Sequence, residues 1–285
     1  MKWFYPKGDL AKTTWSVVVD DDSIPGWKHT GLRVAELNNS SLEIPADNKE
    51  RLIFAISGSA FDITYEVDGQ APNTQKMQGR ASVYRGTTDH LYLPINTKIT
   101  VTGAVKVAIA EAPAKNSFPV KFIKASDVPV AIRGAGVSTR EIHNFGMPDN
   151  LQADRFIVVE VVVPAGNWSG VPCHKHDSYI PGKESNLEEI YYFESQSHGF
   201  FRGYSADERE YDLLTEVHSG DVVLVPYGWH GPVMAAPTGD LYFLNVMAGP
   251  DPTREWNVTD HPEEVGIRDL WKTQKPDPRL PYSAS

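Results

Sequence analysis

Residues 220–230 read GDVVLVPYGWH: a Gly-Asp turn, four apolar residues from Val222 to Val225, a Pro-Tyr-Gly turn and a histidine. A short run rich in β-branched residues and closed by proline and glycine is the pattern of a buried strand. The pattern recurs outward along the chain. Before it lie LIFAISGSAFDITYEV (52–67), ASVYRG (81–86), HLYLPI (90–95), KITVTG (98–103), RFIVVEVVVP (155–164) and EIYYF (189–193); after it comes DLYFLNVM (240–247). Long helical periodicity is hard to find, and only the tail, roughly residues 262–271, reads as a short helix. The fold class is all-β, with strands suited to an antiparallel sandwich or barrel.

The series occurs twice. ERLIFAISGSAFDITYEVDG, starting at Glu50, and LYLPINTKITV are answered by EEIYYFESQSHGFFRGYS and GDVVLVPYGWHGPV. In each half a long strand pair is followed by a strand that ends in proline, Pro94 or Pro226. A repeat of about 130 residues predicts two similar β domains rather than a solenoid. The linker falls between about Ala112 and Asn144, which divides the chain into residues 1–130 and 131–285.

Composition narrows the function. A formal net charge of −10 disfavours phosphate-tracking nucleic-acid binding and anionic membrane surfaces. The start, MKWFYPKGDLAKTTW, lacks the apolar run of a signal peptide, and no stretch approaches a membrane span. The single cysteine, Cys173, excludes an intrachain disulfide. The expectation is an acidic cytoplasmic protein with a small-molecule partner; subunit count stays open, a homo-oligomer included.

Three of nine histidines fall into one pattern: PCHKHD (172–177), then Glu188-Glu189, then PYGWH (226–230). Side chains at i and i+2 of a strand share a face, so His174 and His176 point together while Lys175 points away. A carboxylate on the next long strand and His230 complete four ligands for a divalent transition metal such as zinc, manganese, iron or nickel. Either Glu188 or Glu189 can be the carboxylate. Generic spacing and the repeat with Glu50 favour Glu189, whereas an alignment anchored on Tyr192-Phe193 favours Glu188. The corresponding stretch of the first half, NNSSLEIPADN (38–48), has no histidine, and LPINTK replaces the histidine-bearing turn. The expectation is a metal in the second half alone.

The order of these residues resembles the cupin signature, with one residue fewer than usual between Gly220 and His230. Longer strings are more specific: GWKHTGLRVAEL (26–37), GRASVYRGTTDHLYLP (79–94), REIHNFGMPD (140–149), ADRFIVVEVVVPAGNWSGVPCHKHD (153–177), LEEIYYF (187–193) and GDVVLVPYGWHGPVMAAP (220–237). They resemble the 5-deoxy-glucuronate isomerase family of bacterial myo-inositol catabolism, two-cupin (bicupin) proteins related to the 5-keto-4-deoxyuronate ketol-isomerases. The resemblance runs from about residue 25 to 260 and is weakest over 38–75. It implies an aldose–ketose isomerisation of 5-deoxy-D-glucuronate to 5-dehydro-2-deoxy-D-gluconate through an enediol, with a metal, zinc first, as Lewis acid.

Other roles follow from chemistry. Asp177 and His143 are candidate acid–base groups. Arg140, Arg202 and Lys175 are candidate anchors for the substrate carboxylate. Asn245, with Met247, lies on the strand after His230 and is a candidate pocket residue. Cys173, of opposite parity to His174, reads as a buried structural thiol. Two competing classes are an iron-dependent cupin dioxygenase, which would need oxygen, and a non-catalytic sugar-binding cupin with a closed metal shell.

Overall fold

A computed structural model describes residues 2–282. The chain is almost entirely strand, with one short helix, Ile267–Trp271, in the tail. No described helix is long and apolar enough to cross a membrane.

The first half forms a sheet of seven strands. Its path runs Val17–Val19, Gly31–Ile44, Thr97–Pro113, Lys49–Val67, His90–Leu93 and Lys121–Ile123, with Asn73–Met77 paired beside Lys49–Val67. The second half builds two facing sheets. One has the order Phe4–Tyr5, Val222–Val225, Glu188–Ser195, Leu241–Ala248, Ile157–Val163, Arg140–Gly146 and Val130–Arg133. The other runs Asp212–Val217, Gly199–Tyr204, Trp229–Ala235, His174–Lys175 and Thr259–Asp260. Each named pairing is antiparallel, as short turns between strands require.

Three apolar layers result. Leu37, Ile53, Phe61, Ile63, Leu91 and Ile99 belong to the layer inside the first half. Val159, Val161, Tyr191, Phe193, Phe201 and Phe243 belong to the layer inside the second. Between them, Leu32, Leu52 and Phe54 of the first half meet Phe156, Ile190, Tyr192 and Leu244 of the second. The seven-stranded sheet of the second half is thus buried on both faces. This explains why IVVEVVV and LYFLNVMA are continuously apolar rather than alternating.

Polar groups between the halves are paired. Arg80 grips Glu160 with two bonds of 2.7 Å, and Tyr242 Oη donates to the same carboxylate at 2.9 Å. His143 sits between Glu160 Oε1 at 2.6 Å and Glu141 Oε1 at 2.7 Å. Two further contacts are reciprocal. Glu50 of the first half accepts the backbone N–H groups of Asp154, Arg155 and Phe156. Glu188 of the second accepts those of His29 and Thr30 and the Thr30 hydroxyl.

Two readings of the sequence need correction here. The stretch 81–86 is a turn, not a strand; it leaves the first sheet so that Arg80 reaches Glu160 and the Tyr84 hydroxyl reaches the carbonyls of Glu194 and Asp240. Conversely, the strand Gly31–Ile44 was not read from the sequence. Its middle, NNSS, is polar and exposed, and Asn39 takes a left-handed φ of 50° at a bulge between Asn38 and Ser40.

His143 supplies a stability prediction. Burial alone would lower its imidazole, but the bonds to Glu141 and Glu160 outweigh burial and push it up to about 9. A folded value above the ordinary 6.5 means that the stabilisation is complete below pH 6.5 and is lost as pH rises through 9. The shift corresponds to roughly 3 kcal/mol. Urea unfolding at pH 6 and pH 9.5 should show wild type losing most of that amount, and His143→Gln losing far less across the same interval. Equal pH slopes for the two proteins would contradict the account.

Candidate metal centre

The GDVVLVPYGWH stretch folds as its residues suggest. Asp221 closes the turn by accepting the N–H groups of Lys7 and His218, at 2.8 Å each. Val222–Val225 then runs as a wholly buried strand. Gly228 takes φ 86°, and a Cβ there would stand 2.5 Å from the Tyr204 carbonyl oxygen, so only glycine makes this turn into Trp229–Ala235. His230 enters at the head of that strand and lies directly opposite His174 in the antiparallel register.

His174, His176 and His230 converge, their ligand nitrogens all within 4.8 Å of one another. Each Nδ1 faces a backbone carbonyl oxygen: Pro172 at 3.1 Å, Leu187 at 3.1 Å and Gly228 at 3.3 Å. An Nδ1–H donated to these carbonyls leaves every Nε2 lone pair facing inward, the arrangement of metal-binding imidazoles. His230 Nε2 is buried without a hydrogen-bond partner. Burial and the two neighbouring imidazoles push His174 well below its ordinary value, into the neutral form a ligand needs. Glu189 Oε2 lies 3.1 Å from His176 Nε2 and 3.2 Å from His230 Nε2. Three imidazoles and a carboxylate around one point fit a divalent transition metal.

The two glutamates separate by strand parity. Glu189 faces the barrel interior with Tyr191, whereas Glu188 faces the first half and is engaged by the loop at residues 28–30. The internal repeat is offset by one from the sequence reading. Arg51 pairs with Leu93 as Glu189 pairs with Val225, each one residue before a proline, so Glu50 corresponds to Glu188. In the first half an arginine, ion-paired to Glu111 and Asp47, therefore stands where the second has the inward carboxylate.

A cavity of about 170 Å³ opens beside the cluster, lined by His174, Glu189, Tyr191, Asn245, Trp256 and Arg140 among others. The Arg140 guanidinium donates to the Ser138 carbonyl at 3.1 Å and stacks on Trp271 at 5.5 Å. No carboxylate is paired with it among the described residues. Burial, with Arg133 and Arg268 nearby, pulls it down to about 10. Arg140 Nε, Asn245 Nδ2 and Trp256 Nε1 are buried without hydrogen-bond partners. A cavity lined with unused donors suits an oxygen-rich anion.

The remaining sequence candidates lie elsewhere. His143 faces the layer between the halves and its ring nitrogens are committed to Glu141 and Glu160, so it is not available as a base at the cavity. Asp177 is held by Lys175 at 2.7 Å, Arg209 at 2.6 Å and the Gly228 N–H at 3.0 Å. Although burial opposes it, these partners keep its carboxyl at about 2, a value unsuited to a base. Lys175 points away from the histidines, as its parity requires, onto Asp177 and Glu184. Arg202 pairs with Asp212, on the edge strand of the other sheet. Cys173 is buried, and burial pushes its thiol up to about 11. Tyr191, Trp256, Arg133 and Arg268 were missed. Inward parity beside Glu189 marks Tyr191, but nothing local marks the tail residues that fold back over the cavity.

Ligand identity can be checked by elemental analysis. Purified protein should carry one equivalent of transition metal per chain. His174→Ala and Glu189→Gln should each lose most of it, with the far-ultraviolet spectrum retained because the core is apolar. Glu188→Gln should keep it. Metal loss in Glu188→Gln and retention in Glu189→Gln would reverse the assignment.

Comparison with known proteins gives a concordant picture. The family model described as "KduI/IolB family" matches residues 3–267. A 5-deoxy-glucuronate isomerase of Geobacillus kaustophilus is 37% identical over 245 residues, covering 84% of this chain and 85% of that protein. The crystal structure of an IolB-like protein from Salmonella typhimurium superposes with a TM-score of 0.83 at 31% identity, over 94% of this chain and all of the other. An oxalate decarboxylase of Lactobacillus farciminis, at 10% identity, covers 91% of this chain and 88% of its own with a TM-score of 0.66, which speaks to the fold alone. On the extent of the family match, and on relatives this similar over most of its length, the chain belongs to the KduI/IolB family.

Proposed function

We propose that this protein is a metal-assisted aldose–ketose isomerase converting 5-deoxy-D-glucuronate to 5-dehydro-2-deoxy-D-gluconate in inositol catabolism. One observation carries the reading: His174 and Glu189, which belong to the His174/His176/Glu189/His230 cluster, line the same cavity as Arg140, which has no carboxylate partner among the described residues. Relatives at 36–37% identity over most of the chain carry the name of this isomerase, which disfavours the dioxygenase and the sugar-binding alternatives. The division into domains 1–130 and 131–285 belongs to the same reading; apart from Phe4–Tyr5, which joins a sheet of the second half, sheet membership changes between Ile123 and Val130. A cytoplasmic location suits the buried free thiol of Cys173.

The residues divide the work. His174, His176, His230 and Glu189 would hold the metal, zinc first on the count of three nitrogens and one oxygen. A bound metal supplies Lewis acidity to the oxygens of the two reacting carbons. Arg140 binds the substrate carboxylate with a fork that suits two oxygens and thereby orients the other end of the chain toward the histidines. Tyr191 keeps its proton, because burial and the Glu189 charge raise it well above the usual phenol range, so its hydroxyl can donate but not abstract. Phe243, Val161 and Ile142 exclude water from one wall.

Incubation with 5-deoxy-glucuronate, followed by proton NMR, should show the ketose; no conversion by metal-loaded protein would end the reading. Arg140→Met should lower kcat/KM by roughly 10–150-fold, the cost of losing a charged hydrogen-bond partner. A loss below threefold would place the anchor elsewhere. Turnover in deuterium oxide should put deuterium on the product carbon that receives the proton. Complete retention of the substrate hydrogen would instead indicate a hydride shift.

A further inference from the structure

We propose that Trp256 is a substrate-binding residue, its indole N–H donating to an oxygen of the sugar acid, and that Ser185 holds it in position. The proposal rests on the isomerase reading and adds two residues to the same site.

Trp256 follows the strand Leu241–Ala248, on the segment that turns back over the cavity. Its ring lines the same cavity as His174 and Glu189 and packs on the apolar layer inside the second half. The Nε1 atom is buried, and no protein acceptor lies within hydrogen-bond distance of it. The carboxylate among the lining side chains, Glu189, is turned to His176 and His230. A buried donor without an acceptor is costly, and such groups are rare unless a ligand uses them. An indole N–H donates and never accepts. Its partner must therefore bring a lone pair, as the hydroxyl, carbonyl and carboxylate oxygens of a sugar acid do.

The residues on either side of Trp256 are both clamped by one serine. The Ser185 hydroxyl donates to the Glu255 carbonyl at 2.9 Å and accepts the Asn257 N–H at 3.1 Å. The Ser185 N–H donates to the Asn257 carbonyl at 3.0 Å. Ser185 is itself buried, at 3% exposure. It belongs to Glu184–Asn186, which pairs with Asp177–Ile180 in a hairpin. In sequence that hairpin lies between two of the clustered residues, His176 and Glu189. The neighbouring Asn186 N–H donates to Asp251 at 2.7 Å and ties down the start of the same tail segment. The hairpin thus fixes the indole relative to the histidines. A donor held in place before binding loses less freedom when the ligand arrives.

Two readouts test the contact: kcat/KM for 5-deoxy-glucuronate, and the competitive Ki of the alcohol made from it by borohydride. That alcohol keeps the carboxylate and hydroxyls but has no aldehyde to isomerise. Trp256→Phe, carrying a full equivalent of metal, should lower kcat/KM about tenfold and raise the Ki at least threefold. Should the phenylalanine variant fold poorly, 3-benzothienylalanine at position 256, with sulfur in place of the N–H, gives the same comparison. Ser185→Ala should cost at least threefold in the wild-type background but less than twofold when Trp256→Phe is already present. An equal loss in both backgrounds would overturn the positioning role of Ser185. Conversion by wild type, with both readouts within twofold once the N–H is removed, would overturn the proposal alone. No conversion by metal-loaded wild type would end the isomerase reading and this proposal with it.

Discussion

A sheet buried on both faces is the constraint from which this molecule follows. Every polar side chain on it either meets a partner or is left as an unspent cost, since an unpaired buried group forfeits its hydration. On the face toward the first half the costs are met: Glu160 has Arg80, His143 and Tyr242, and Glu188 has the loop at 28–30. On the face toward the barrel interior they are not. Asn245 Nδ2 has no partner, and the carboxylate of Glu189 crowds two imidazoles. One sheet therefore separates a paired polar network from the side chains of the candidate metal centre, and successive residues on a strand, such as Glu188 and Glu189, face opposite sides of it.

The same constraint sets the first half apart from the second. Its strands repeat the register of the second, yet the position equivalent to Glu189 is Arg51, turned onto Glu111 and Asp47. A cation there opposes a metal, and Leu37, Phe61, Ile63 and Ile99 fill the interior. Glu50 and Glu188, the equivalent glutamates, have kept one task. Each crosses to the other half and satisfies backbone N–H groups of a loop, so each half completes the other's hydrogen bonding.

Much of this was legible in the sequence, for physical reasons. Strand runs such as IVVEVVV announce themselves because double-sided burial removes polar alternation, and the HxH spacing carries its own parity. Parity also placed Lys175 outside. The choice between Glu188 and Glu189 was not legible, because adjacent residues differ only in which face they take, and register is a property of the paired sheet. His143 and Asp177 looked catalytic because titratable groups beside a ligand motif often are; their real partners, Glu160 and Arg209, are 17 and 32 residues away. Trp256 and Arg268 gave no local signal, since a tail that folds back over a cavity is positioned by contacts made after the barrel exists.

The pairing of the first strand, Phe4–Tyr5, with Val222–Val225 has a consequence for how the chain is made. Synthesis delivers the first strand early, but its partner emerges only after more than two hundred further residues have left the ribosome. Phe4–Tyr5 therefore has no partner at this edge until Val222–Val225 has been made. The edge that receives it is also the strand that leads into the His230 turn. The pairing thus joins Phe4–Tyr5 to the segment that carries one of the three clustered histidines, and the second half's sheet is completed only by contacts of very high sequence separation, which form slowly.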